Sequence, residues 1–228
     1  MSGLQATAWR AFVEAPTHYI ARPWLDDCLG GVADGATLED VVGHPRFQRR
    51  LAHRLVERHG LVPPEALPTP AQEDAPWLTL PPHAGATLVR YCGAICHAMA
   101  FVREIRAPRV VALQQRFGES AYAAAVANRE LAVASASSED IETLEREVWR
   151  DGEACVLAWL ALLTSEWVAW LRLGLADGLP QAAAADAIPQ ARSKGPGIVR
   201  RAAAIIAAEI KETEHARTAG GAGQGHSA

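Results

Sequence analysis

Behind the acidic pair Glu139-Asp140, apolar positions recur at steps of three and four residues: Ile141, Leu144, Val148, Cys155, Trp159 and Leu162. At 3.6 residues per turn these positions share one face, so the pattern predicts a long amphipathic helix behind a capping box of Ser137 and Asp140. Ser165 is placed to cap a short continuation that carries Trp167, Trp170 and Leu171. Upstream, Pro45 opens a helical segment in its first turn and Gly60 closes it, with Phe47, Leu51 and Leu55 as its apolar stripe. A helix is expected from about Ala84 to Arg106, another from Pro108 to Gly118, and a third, capped by Ser120, over AYAAAVANRELAVA. The last predicted helix is IVRRAAAIIAAEIKETEHA, residues 198–216.

Between these elements the pattern breaks for identifiable reasons. The segment LVPPEALPTPAQEDAPWLTLPP (61–82) is too rich in proline for a helix and is expected to be an extended connector. Residues 180–197, rich in Pro, Ala and Gly, are expected to form a loop or hinge, and 218–228 a flexible tail. No apolar/polar alternation of strand length and no internal repeat stands out. The expectation is an all-α, single mainly helical domain. Residues 1–60 would be an N-terminal helical region, with room for a smaller subdomain ahead of the connector, and 83–217 the helical core.

Composition adds bounds. The 228 residues are half apolar and 21% charged, with a formal net charge of −4, which suits a soluble globular chain and argues against a nucleic-acid footprint. The N-terminus lacks a basic region followed by an apolar stretch and a cleavage site, so no secretory signal is expected. The most apolar stretch, 155–176, is interrupted by Glu166 and Arg172 and is expected to be a buried helix pair. A cytoplasmic location follows, with the four cysteines as reduced thiols.

The candidate chemistry is concentrated in YCGAICHAMAF, residues 91–101. Cys92 and Cys96 share a helix face, with His97 turned about 100° from Cys96. A metal- or haem-binding role for Cys92, Cys96 and His97 is the alternative reading, but no second ligand pair with zinc spacing follows, and Cys28 and Cys155 are isolated. The simpler reading extends the apolar face of Leu88, Ile95 and Met99 with two small hydrophobic thiols, and puts His97 at a helix boundary between core and solvent. Asp26 and Asp27 are adjacent and do not face each other on a helix, and Gly195-Pro196-Gly197 lacks the frame of a phosphate loop. No catalytic residue, cofactor or metal is assigned.

Arg46, Arg50, Arg54 and Arg58 recur every four residues as a basic stripe, either a solvated face or a docking edge for an acidic protein or a nucleic-acid backbone, with protein preferred. Of seven tryptophans, Trp149, Trp159, Trp167 and Trp170 fall on predicted core helices. Trp9, Trp24 and Trp77 lie at helix starts or beside loops, where they anchor a loop or offer an interface hot spot.

Taken in order, AFVEAPTHYIARPWL, LVRYCGAICHAMAF, APRVVALQQRFGESAYAAAV and EREVWRDGEACVLAWLALLTSEWVAWLRLGLADGLP resemble the SctK (YscK-like) family of bacterial type III secretion. The resemblance rests on Phe12, Pro16 and Tyr19 near the N-terminus, on Gly152 with Leu157 to Leu160, and on Trp170 through Pro180. It covers most of residues 9–180; the Ala-rich end and glycine tail depart from the pattern. It implies a non-enzymatic adaptor of the injectisome sorting platform, linking the cytoplasmic domain of an SctD-like ring protein to SctQ-like pods. An SctL-like stator and SctN-like ATPase would lie further along the assembly, and contact with the inner membrane would run through protein alone. Partner contacts are expected at Trp9, Phe12, Tyr19, Trp24 and the arginine stripe.

Overall fold

Caps and prolines set most helix boundaries in the computed structural model, which describes residues 3–31, 34–134, 138–175 and 186–221. The N-terminal helices are α1 (Gly3–Glu14), α2 (Arg22–Cys28), α3 (Gly35–Gly43) and α4 (Pro45–His59). Asp34 caps α3 by accepting from the Thr37 amide at 2.8 Å. As the sequence predicts, Pro45 starts α4 and Gly60, with φ of 62°, ends it in the left-handed conformation that glycine adopts without steric cost. Beyond the connector come α5 (Gly85–Cys96), α6 (Ala98–Val102), α7 (Ala107–Phe117) and α8 (Glu119–Ala127). Then follow α9 (Ile141–Leu160), α10 (Ser165–Gly174) and α11 (Pro189–Gly221). No strand occurs among the described residues; the fold is all-α.

The heart of the molecule is the mutual packing of α5, α9 and α11. Where α5 meets α9 the backbones nearly touch: a Cβ added at Gly93 would lie 1.8 Å from the Val148 carbonyl oxygen, and one at Gly152 2.1 Å from that of Val89. Only glycine permits that approach. Around it Leu88, Val89, Cys92, Ile95, Cys155 and Trp159 are buried.

Several boundaries differ from expectation. The helix expected over 84–106 is interrupted at His97, because the Val133 and Ala134 amides both donate to the Cys96 carbonyl at 3.0 Å and take it out of the helical ladder. The helix expected to run on from Ser120 stops at Ala127: the buried Asn128 folds its side-chain amide back onto the Ala124 carbonyl at 2.7 Å. Asp140 caps α9, accepting from the Thr143 amide at 2.8 Å; Ser137, the first residue of the expected capping box, lies outside the described residues. The N-cap of α10 is Thr164 rather than Ser165. Of the expected hinge, 180–185 lies outside the described residues, whereas 189–197 is already helix, with Pro196 inside it. The expected tail at 218–228 is helix as far as Gly221; the rest lies outside the described residues.

Residues 61–82 are not a free connector. Short 3-10 turns at Pro64–Ala66, Gln72–Thr79 and Pro82–Ala84 fold them against the core, and Leu61, Leu67, Trp77, Leu78 and Leu80 are buried. Three indoles fasten this strap: Trp170 donates to the Val62 carbonyl, Trp167 to that of Pro68 and Trp159 to the Asp74 carboxylate, each at 2.9 Å. Nor do residues 1–60 form a core of their own. Phe12, Ile20, Leu25, Leu38 and Leu55 belong to the same buried cluster as Trp159 and Ile206, and the Ala21 amide bonds the Leu173 carbonyl at 2.9 Å.

Candidate functional site

The residues with the widest chemical repertoire meet at the α5–α9–α11 junction. Cys92, Cys96 and Cys155 are fully buried free thiols. Cys155, isolated in sequence, has its sulfur 3.3 Å from that of Cys96, and its own S–H reaches the Ala191 carbonyl at 3.3 Å. A second close approach makes this possible: a Cβ at Gly195 would lie 2.7 Å from the Cys155 Cα. The Cys96 thiol is pushed far up, first by its hydrogen bond with Cys155, then by burial and by the charges of Cys155 and Asp151. Burial pushes Cys92 well above the ordinary thiol range. Both remain protonated at neutral pH, the opposite of what a nucleophile or metal ligand needs.

His97 is at a helix boundary, as expected, but is only 2% exposed rather than facing solvent. Its Nε2 lies 2.8 Å from Oδ2 of the fully buried Asp151. An ionised carboxylate only accepts, so Nε2 carries the proton, while Nδ1 is buried and has no hydrogen-bond partner among the described residues. Asp151 also accepts from Arg150 and, at 2.9 Å, from the Ile188 amide just ahead of α11. Burial acts to raise the Asp151 pKa, but the hydrogen bonds from His97, Arg150 and Ile188 outweigh it and bring it down to about 2. The carboxylate therefore joins the α5–α6 break, α9 and the start of α11. Among the described residues no group of three or more His, Cys, Asp or Glu side chains is arranged to hold a metal ion. Neither Asp151 nor the Cys96–Cys155 pairing was legible beforehand. The only signal is that Asp151 and Cys155 are four apart, on one face of α9.

The aromatic contact candidates are engaged within the protein. Phe12 is 2% exposed, with ring centroids of Tyr19, Trp167 and Trp170 at 5.5–5.6 Å. Trp9 is half-buried with its ring edge on Trp167 at 5.4 Å, and Tyr19 is half-buried against Phe12. Trp24 packs edge-on to His59 at 5.2 Å. Phe12 is part of the buried core, and Trp9, Tyr19 and Trp24 pack against it while keeping part of their surface exposed. Trp149, expected inside, is instead 38% exposed with its indole N–H on Glu153 at 3.1 Å.

The arginine stripe is exposed along α4, as its spacing implies, but its two ends do different things. Arg58 makes a two-pronged bond to Asp27 at 2.5 and 2.6 Å, and Arg54 reaches the Cys28 carbonyl at 3.2 Å. Both grip the C-terminal end of α2, where the helix dipole favours cations. At the other end Arg46 and Arg50, with the neighbouring Arg49, form no ion pair among the described residues. Arg49 and Arg50 overlook a groove of about 800 Å³ bounded by the end of α1, by α4 and by the strap at Pro63–Glu65. No helix among the described residues is long and apolar enough to cross a membrane. Comparisons with protein-family models, curated proteins and solved structures find no match for this chain.

Proposed function

We propose that this chain is a non-enzymatic cytoplasmic adaptor of a type III secretion sorting platform, linking an SctD-like ring protein to SctQ-like pods. The sequence resemblance over residues 9–180 supplies the identity of the partners. The observation that carries the adaptor reading is where reactive and charged groups lie. Cys92, Cys96, Cys155, His97 and Asp151 are sealed at helix crossings, whereas Arg46, Arg49 and Arg50, which form no ion pair among the described residues, and a groove face solvent. An adaptor needs a rigid body with charged, shaped surfaces, and its binding energy comes from a few anchors on them. The metal or haem alternative is less well supported, since its two thiols are held protonated and its histidine is turned to a carboxylate. Co-purification with the cytoplasmic domain of the SctD-like protein and with the SctQ-like protein tests the reading. Retention of both on the tagged chain is expected; retention of neither overturns it.

A further inference from the structure

We infer that the α1–α4–strap groove is a docking site for an amphipathic helix of a partner protein that is acidic along one flank. On α4, Gln48, Ala52 and Val56 recur every four residues and form one side of the groove; Val13 of α1 and Pro64 of the strap continue its apolar floor. Arg49 and Arg50 stand on the α4 side, where the neighbouring His53 is engaged by Glu57 at 3.3 Å, and Glu14 and Glu65 stand on the α1 and strap side. The groove therefore has a polarity across its width, basic on one side and acidic on the other. An apolar ridge flanked by acids on the α4 side, with neutral or basic residues on the strap side, matches it in shape and charge.

Two observations favour this occupant. Arg49 and Arg50 form no ion pair among the described residues, while Arg54 and Arg58 on the same helix are engaged by α2. The cations nearest the groove are therefore those left over for a partner. The floor is also stiff: Gln48 is buried and holds both the Thr17 hydroxyl and the Val42 carbonyl, and Pro16, Pro63 and Pro64 line the groove. A preformed groove loses little entropy on binding. The acidic rim formed by Glu14 and Glu65 disfavours a nucleic-acid backbone, which would meet repulsion on one side.

The inference rests on the adaptor reading for its biological setting but can be tested apart from it. The probe is a fluorescent, stapled amphipathic peptide with a leucine stripe and glutamates along one flank, compared with a twin bearing lysines there. Anisotropy at about 0.15 M salt should show the acidic peptide binding at least about tenfold more tightly than its twin. R49E/R50E should abolish that preference, and A52W, which fills the groove without changing charge, should weaken the acidic peptide to a similar extent. R103E, on an exposed arginine outside the groove, should leave it unchanged. Circular dichroism melts matching the wild type certify that each variant is folded. Equal binding of the two peptides, no binding of either, or equal loss with R103E overturns the groove assignment. Tighter binding of a DNA duplex than of the acidic peptide overturns the choice of partner. Co-purification with the SctD-like and SctQ-like proteins judges the adaptor reading separately: both retained and unaffected by R49E/R50E would leave that reading standing and remove the groove from it.

Discussion

The two ends of the core are built from opposite materials. At one end Trp9, Phe12, Tyr19, Trp77, Trp167 and Trp170 pack ring against ring, with centroids 4.9–6.0 Å apart. At the other, Gly93 and Gly152 bring α5 and α9 into backbone contact, and cysteine and alanine fill what space is left. The aromatic end fills volume with large rings and uses indole N–H groups to fasten the strap. The glycine end removes volume and spends the closeness on a buried carboxylate. The first is therefore vulnerable to cavities and the second to any added atom.

The largest effect should come from adding atoms at the crossing. Gly152→Leu would drive a side chain into the Val89 carbonyl, and loss of more than about 5 kcal/mol, seen as no cooperative melt, is expected. A native-like melt would mean the two helices can part without cost. Next, Asp151→Ala strands the Ile188 amide, His97 and Arg150 and should cost about 3–5 kcal/mol by urea unfolding. At the aromatic end Phe12→Ala leaves a cavity between Tyr19, Trp167 and Trp170, at about 3–4 kcal/mol. If it costs less than about 1 kcal/mol, the N-terminal helices are not part of the shared core.

Acid probes the glycine end through Asp151, a buried carboxylate with a depressed pKa. The folded pKa of Asp151, about 2, lies below its ordinary 3.8, so its contribution is complete above 3.8 and fades as pH falls towards 2. Allowing for residual screening beside the partly exposed Arg150, about 1–2 kcal/mol should disappear over that window. The difference in unfolding free energy between wild type and Asp151→Asn should shrink as the window is crossed; a constant difference would detach the carboxylate's charge from stability. The smallest effect belongs to Cys92→Ala with Cys96→Ala, a loss of about 1–2 kcal/mol with far-ultraviolet dichroism unchanged, since only two small thiols and the weak Cys96–Cys155 contact are removed.

Which parts of this were legible in the sequence follows from the range of the interactions involved. The α9 face was read correctly at Leu144, Val148, Cys155 and Trp159, because amphipathic spacing is local and survives tertiary packing. Leu162 fell outside it, 64% exposed beyond the helix end. Breaks imposed from a distance were invisible: the interruption at His97 is caused by amides 36 and 37 residues further along, at Val133 and Ala134. The start of α11, residues 189–197, was hidden by Pro196, which signals a break but here lies beside the glycine that admits Cys155. At the candidate sites, the arginine stripe was plain, but its division between α2 and the groove depended on which neighbours fold against it. Asp151 had no sequence signal as a junction, because His97 and the Ile188 amide lie 54 and 37 residues away from it and only Arg150 is a neighbour.

The strap carries a consequence for how the chain comes to be folded. Asp74, only 5% exposed, accepts from Trp159 and Arg200, and Val62 from Trp170. During synthesis the acceptors therefore leave the ribosome some hundred residues before their donors. Until α9, α10 and α11 follow, the proline-rich segment and the apolar faces of α1 to α4 have no lid. Contacts of such long sequence separation are slow to close and leave apolar surface open meanwhile. The strap ties the completion of the first third of the protein to the emergence of the last, so the nascent chain is most in need of chaperone cover late in its translation.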